Sequence, residues 1–339
     1  MRGVTLPSPA VRKPTRSREV GRGEKVLPGV WRLRLPLPWP GVPHCNAWAL
    51  AAGGGVILID TGMHDAGSMA HLVRALDQAE LKVEHVRLIV CTHAHVDHCG
   101  QAPPIAARAG CEVWMHRNHA HHTDDDPEEA LKRRVVVAHQ SGVPPDSVQR
   151  WIERRRGQGS GQAGTLHVDR ELTEGDSVRS DLGEWRVIET PGHAPSHICL
   201  YQPERRLLIS GDHLLGRVSL YFDTGYTPDP VAEFLDSLDR VDELDARLVL
   251  AGHARPFTDV PGHVAATRAL VDERLRAVQA ALGEPRTAYE VAQRVYGDRF
   301  TELTANWLLS KTLAWLTHLE CKGIAARAGD GPERWSAAA

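Results

Sequence analysis

The chain has 339 residues, 24% of them charged and 42% apolar, with a formal net charge of −3. That length supports one large core with a smaller module beside it, and the near-neutral balance gives no general attraction to nucleic acid or membrane. No apolar run approaches the roughly 18 residues needed to cross a bilayer. The N-terminus lacks the apolar stretch of a secretory signal, and the six scattered cysteines contain no CxxC pair and read as reduced thiols, so a cytoplasmic protein is expected.

Residues 1–27 are basic and proline-bearing without apolar periodicity, and read as a flexible tail. From Gly29 to Thr61 the pattern is strand-like: Val30–Leu35 alternates, and the apolar runs Ala47–Leu50 and Val56–Ile59 are separated by Gly53-Gly54-Gly55. Ser68–Gln78 has helical spacing, Val86–Cys91 reads as a buried strand, Ala102–Ala109 as a helix and Cys111–Met115 as a strand. This alternation argues for a layered α/β core. Residues 118–160 are polar and helical in pattern, carry Asp124-Asp125-Asp126 near their start and Arg154-Arg155-Arg156 near their end, and read as an inserted lid. Strands resume at Leu166, and Trp185–Ile188, His197–Tyr201 and Arg206–Ile209 supply a second sheet. A helix over 231–241, a strand over 247–251 and a helix over 264–282 follow. After Gly283 the pattern resets: Thr287-Ala288-Tyr289-Glu290 is a capping box, Leu303–Leu319 a longer helix and Ile324–Gly331 a hairpin. Helix, helix and ribbon is the outline of a winged helix, within a module over 261–339.

The chemistry concentrates in Thr92-His93-Ala94-His95-Val96-Asp97-His98, directly after the Val86–Cys91 strand. Neutral imidazole is the commonest metal ligand at physiological pH. Alternate residues of an extended segment share a face, so His93 and His95 point together. A turn after them brings Asp97 and His98 to a neighbouring position, the arrangement wanted for two metal ions side by side. His193, Asp212 and His253 each end an apolar strand-like run, and a glycine immediately precedes each. Three such repeats beside one HxHxDH mark a metal centre. Cys99 is a weaker candidate ligand, and the histidines at 116, 119, 121 and 122 lie in the polar segment and read as surface residues.

In kind and order these motifs resemble the metallo-β-lactamase superfamily over residues 28–260. The resemblance implies an α/β fold, an αββα sandwich of two facing sheets with helices outside, here with an inserted helical lid and a small C-terminal winged-helix-like module. It implies that His93, His95 and His193 hold one metal, that Asp97, His98 and His253 hold another, and that Asp212 bridges them. Asp60, in Leu58-Ile59-Asp60-Thr61-Gly62, would orient ligands from behind, and His197 is read the same way. Two zinc ions per chain are expected, with iron or manganese as alternatives.

The implied reaction is hydrolysis of an ester or thioester by metal-activated water, with Asp97 and Asp212 at the reacting centre. Tyr221 and Tyr226 follow Asp212 closely enough to donate to an oxyanion, and Arg154, Arg155 and Arg156 are candidates to grip an anionic substrate. The expected partner is a small-molecule or carrier-bound acyl substrate, with no membrane; a homodimer stays open. The tail also resembles the winged-helix extension of the lactamase-β-like 2 group, which is associated with endoribonuclease activity. Cleavage of single-stranded RNA is therefore the alternative, and a one-iron persulfide dioxygenase a further one. Residues 285–339 carry seven Lys/Arg against six Asp/Glu, not the basic stripe of a nucleic-acid reader, so nucleic acid is not favoured.

Overall fold

The computed structural model describes residues 20–39, 41–123, 127–157, 159–217, 219–329 and 331–338. In chain order the first half runs β1 (Arg22–Leu27), β2 (Val30–Trp39), β3 (Val42–Ala52), β4 (Gly55–Ile59), α1 (Ser68–Gln78), β5 (Val86–Val90), α2 (Val96–Cys99), α3 (Ala102–Ala109) and β6 (Glu112–His116). The inserted segment gives α4 (Ala120–Thr123), α5 (Pro127–Gln140) and α6 (Pro145–Arg156), and β7 (Arg170–Leu172) closes the first sheet. The second half runs β8 (Ser177–Ser180), β9 (Gly183–Glu189), β10 (Ile198–Gln202), β11 (Leu207–Gly211), α7 (Pro230–Asp242), β12 (Leu248–Ala251) and α8 (Val260–Ala280). Then come α9 (Ala288–Tyr296), α10 (Ala305–Cys321), β13 (Ala325–Ala328) and β14 (Arg334–Ala337).

The first sheet has the order β1-β2-β3-β4-β5-β6-β7 and the second β12-β11-β10-β9-β8; β13 and β14 form a separate ribbon. Strand alternation builds the layers. Ile57 and Ile59 face Ile198, Leu200 and Trp185 between the sheets. Leu58, one residue out of phase, packs outward under Leu72, Ala75 and Leu76 of α1. On the far side Cys199 and Tyr201 join Phe234 and Leu238 of α7 and Val271 of α8. The architecture is thus the expected αββα sandwich. Trp185 is fully buried and its indole N–H is satisfied by Ser180 Oγ at 2.9 Å, so truncation to alanine would cost about 3–5 kcal/mol.

Two boundaries differ from expectation. Residues 22–27, assigned to the flexible tail, form β1, paired antiparallel with β2 so that Lys25 lies opposite Trp31. An edge strand of this kind is held by backbone bonds and close approach, which composition does not reveal: a Cβ on Gly21 or Gly23 would lie 1.9 Å from the His71 or Ala75 carbonyl oxygen of α1. Residues 1–19 of that tail lie outside the described residues, as does Asp124-Asp125-Asp126. The terminal ribbon also runs further than 324–331, its second strand being Arg334–Ala337. The side chains of α9, α10 and the ribbon (Val291, Trp315, Leu316, Trp335) belong to the same core cluster as α7 and α8. Among the described residues no helix is long and apolar enough to cross a membrane.

Candidate metal centre

Turns that leave the strands converge at one edge of the sandwich. Asp60 follows β4, Thr92–His98 follows β5 and opens α2, His193 lies beyond β9, Asp212 follows β11 and His253 follows β12. β4 pairs with β5, and β11 with β12, in parallel, so within each pair the following turns leave on the same side. Glycine makes the close approach possible. A Cβ on Gly252 would lie 2.3 Å from Asp212 Oδ1 and 2.9 Å from His98 Cε1. Gly192 adopts φ +117, and a Cβ there would meet the Phe234 backbone at 2.5 Å.

Two donor sets result. In the first, His95 Nδ1 lies 3.0 Å from both His93 Nε2 and His193 Nε2, which are 3.3 Å apart. In the second, Asp97 Oδ2 lies 3.5 Å from His98 Nε2 and 3.3 Å from His253 Nε2. Asp212 stands between them: Oδ1 is 3.4 Å from His98 Nε2, and Oδ2 is 3.1 Å from His253 Nε2 and 3.8 Å from His193 Nε2. The structure therefore brings all seven sequence-predicted donors together.

The outer ring nitrogens decide what the inner ones present. His95 Nε2 donates to Asp223 Oδ2 at 2.9 Å, His193 Nδ1 to the Tyr221 carbonyl at 3.0 Å, His98 Nδ1 to Asp60 Oδ2 at 2.7 Å and His253 Nδ1 to the His44 carbonyl at 2.9 Å. These acceptors carry no proton, so each ring turns an N–H outward and keeps its inner nitrogen for a cation, whether a proton or a metal. The inner nitrogens of His95 and His193 face each other at 3.0 Å. Those of His98 and His253 face carboxylates. His98 Nε2 and Asp212 Oδ1 are buried with no hydrogen bond at all. Such a cage is repulsive until cations enter it, and its mixed nitrogen and oxygen donors suit a borderline divalent ion.

Electrostatics agree. Burial, then the neighbouring His95, pushes His193 down to about 4, so it is neutral at physiological pH. Burial also opposes charge on His253, but Asp212 and then Asp97 outweigh it and carry the imidazole up to about 10. His98 is likewise raised, by Asp97, Asp212 and Asp60 against its burial. In the metal-free chain, protons thus stand where cations would, and a metal must displace them.

Behind the ligands, Asp60 Oδ1 accepts from the Thr92 backbone N–H at 2.7 Å and Oδ2 from Thr92 Oγ1 at 3.0 Å. Asp60 adopts φ 62, backbone strain of the kind that persists where the surroundings over-determine a site. His197 Nε2 accepts the Asp212 backbone N–H at 3.0 Å, and its Nδ1 bonds Thr190 Oγ1 at 2.7 Å. It orients Asp212 and is placed to bind no metal of its own.

Sequence reasoning missed Asp223. This buried carboxylate holds the outer nitrogen of His95, and the Nε2 atoms of His121 and His122 each lie 3.4 Å from the same oxygen. Burial would raise Asp223, but His95 and then His121 and His122 hold it well below the usual carboxylate range. The one available signal was that Asp223 is the only acid between Asp212 and Asp229. The reading of the histidines in this segment as surface residues needs correction. His121 and His122 have side chains only 7% and 18% exposed and turn inward to Asp223, and His116 is buried against Glu189 at 3.0 Å. Polar composition misled because two carboxylates, Asp223 and Glu189, gather these rings.

The remaining candidates fall differently. Tyr221 packs its ring 5.7 Å from His95 and 5.8 Å from His193, and burial, then Asp223, pushes its hydroxyl pKa up, so it stays protonated. Tyr226 is 44% exposed and lies edge-on to His121 at 5.1 Å. Arg154 and Arg156 do not stand ready for a substrate: they pair with Glu302 at 3.5 Å and Glu128 at 3.2 Å, so α6 is tied to the C-terminal module and to α5. Arg155 has no carboxylate partner among the described residues, and burial followed by Arg134 lowers its pKa. Cys99 is buried in the core beneath α1 and α3, and burial pushes its thiol up to about 12, so it is no thiolate ligand.

The model of the metallo-β-lactamase superfamily matches residues 40–253, from the end of β2 to the last histidine of the centre. The chain belongs to the metallo-β-lactamase superfamily. Among its relatives, a probable metallo-hydrolase of Bacillus subtilis is 26% identical over 267 residues, covering 73% of this chain and 79% of that protein. The atrochrysone carboxyl ACP thioesterase of Aspergillus chevalieri is 24% identical over 262 residues, covering 74% of this chain and 68% of its own. The crystal structure of a metallo-β-lactamase family protein from Thermus thermophilus superposes with a TM-score of 0.78 at 29% identity, covering 92% of this chain and all of that one. The match spans about three fifths of the length of several fungal and nematode relatives. This is a superfamily of metallo-hydrolases, and the present member retains His/Asp clusters able to hold metal ions.

Proposed function

We propose that this superfamily member is a dinuclear hydrolase, zinc-loaded, that cleaves the ester or thioester bond of an acyl substrate, of the acyl-thioester hydrolase type. One observation carries the reading: the Asp212 carboxylate lies within 3.8 Å of nitrogens from both donor sets, so a single side chain can tie two cations into one centre. Bound there, the ions would supply hydroxide at neutral pH and polarise the carbonyl under attack. The protein's own groups supply the rest. Burial opposes ionisation of Asp97 and Asp212, but His98 and His253 hold both well below the carboxylate range, so both enter the reaction as anions. Tyr226, 44% exposed and beside His121, is the candidate donor to an oxyanion in this reading.

The second donor set, Asp97, His98 and His253, supports this reading over a one-iron dioxygenase, which would leave it without work. The C-terminal helices support an acyl substrate over RNA, because they brace the loop beside the metals. Trp315 packs on Phe222 at 4.9 Å, Ser310 Oγ bonds the Phe222 carbonyl at 3.2 Å and His318 Nδ1 reaches Asp229 at 2.9 Å. The thioesterase activity named for the Aspergillus relative points the same way. The test is metal analysis followed by acyl-thioester and single-stranded RNA turnover side by side, with an Asp212→Ala control. Thioester turnover that Asp212→Ala abolishes is expected. Full thioester turnover in that variant, or cleavage of RNA alone, overturns the proposal.

A further inference from the structure

Away from the metals, a cavity of about 180 Å³ opens between α8, α9, α10 and the loop that carries Tyr221. Three cationic side chains line it: Lys311 on α10, Arg274 on α8 and Arg299 after α9. Among the described residues no carboxylate pairs with Lys311 or Arg299, and Arg274 meets only the exposed Glu273 beside it in sequence, at 3.4 Å. Two neutral donors join them. The Tyr296 hydroxyl and the Trp315 indole N–H are buried, Tyr296 to 7% and Trp315 to 1% exposure, and neither makes a hydrogen bond of good geometry. Gathering cations side by side without a counter-charge is costly, most of all at the partly buried Lys311 and Arg274, and so is leaving buried donors unpaired. An anion held here relieves both.

We propose that this cavity binds a phosphate group, either inorganic phosphate or the phosphate monoester of a larger ligand. Guanidinium forks match tetrahedral oxyanions, and three cations call for a dianion rather than a carboxylate. The volume admits one phosphate and excludes a length of nucleic acid. The same loop joins the cavity to the metal centre: Leu220 lines the cavity, the Tyr221 carbonyl accepts from His193 at 3.0 Å, and Asp223 holds His95. An occupant therefore bears on two metal ligands through three residues of chain.

The experiment is calorimetric titration of the metal-loaded protein with inorganic phosphate, for the wild type, Lys311→Met, Arg299→Gln and Asp212→Ala. Binding weakened roughly tenfold or more by Lys311→Met and by Arg299→Gln, and retained in Asp212→Ala, is expected. Arg299 is exposed, so its variant keeps the test valid if Lys311→Met does not fold. No phosphate binding by the wild type, binding that both cavity variants retain, or binding lost only in Asp212→Ala overturns the proposal. A second arm, which rests on the thioester reading, separates the sources of phosphate. A KM raised by Arg299→Gln for an acyl-coenzyme A, but not for its phosphate-free N-acetylcysteamine analogue, assigns the site to the substrate's own phosphate. Unchanged KM for both, with phosphate binding weakened, assigns it to free phosphate.

Discussion

Asp223→Asn tests how the centre is supported. The Asp223 carboxylate takes the outer proton of His95 at 2.9 Å in a buried setting, which fixes the ring and makes its inner nitrogen a stronger donor. The amide keeps the shape of the side chain, and the Asp223 backbone N–H still reaches the His193 carbonyl at 3.0 Å, so the fold should survive. Only the negative charge is lost. Partners of this kind change metal affinity by about 10- to 100-fold, ~1.4–2.7 kcal/mol. Asp97, His98 and His253 make no contact with Asp223, so the loss should fall on one set of ligands. Titration of metal-loaded protein with a chromophoric chelator should show one equivalent released that much more readily while the other holds. If both equivalents weaken alike, or neither changes, the two donor sets are not separable in the way argued here.

Gly252→Ala should empty the centre without unfolding the chain, since its Cβ would meet Asp212 Oδ1 at 2.3 Å while the strand before it stays paired with β11; elemental analysis showing full metal content would contradict this. Burial, then Arg274 and Arg299, lowers Lys311 from 10.5 to about 8. A base whose pKa falls on folding costs stability while it is charged. The cost is full below about pH 8 and fades towards 10.5, and Lys311→Met should therefore gain on the order of 1–3 kcal/mol at pH 7 and little above pH 10.5 in phosphate-free urea melts. A gain that does not shrink across that window would refute the burial argument. Glu302→Ala removes exposed pairs to Arg150 at 2.6 Å and Arg154 at 3.5 Å. Melting should show a change within about 1 kcal/mol, while faster amide exchange in α6 reports the released contact.

Much of the centre was legible because its chemistry sits at strand ends. A strand of Val, Ile and Leu that stops at a glycine and a histidine or aspartate declares both a direction and a donor, as at His193, Asp212 and His253, while His93, His95, Asp97 and His98 announce themselves as one HxHxDH run at the end of a strand. The sandwich was legible for a related reason: period-two alternation puts Ile57 and Ile59 on one face and Leu58 on the other. β1 was hidden, since a glycine-bearing edge strand is held by backbone pairing with β2 and not by apolar side chains.

The residues around the donor cluster were decided in three dimensions. Asp223 carries no local pattern, and its role appears only when the loop after β11 is folded back against His95 by Trp315, Ser310 and the helices beneath. His121 and His122 read as solvated until that carboxylate is placed beside them. Arg154 and Arg156 read as substrate clamps until Glu302 and Glu128 claim them. By itself the sequence determined the family, the sheets and the donor set, because these follow from periodicity and from ligand type at strand ends. Which groups tune the donors, and which cations remain unpaired, was decided by the tertiary structure alone, because charge pairing and burial depend on what lies across space from a side chain and leave no periodic trace along the chain.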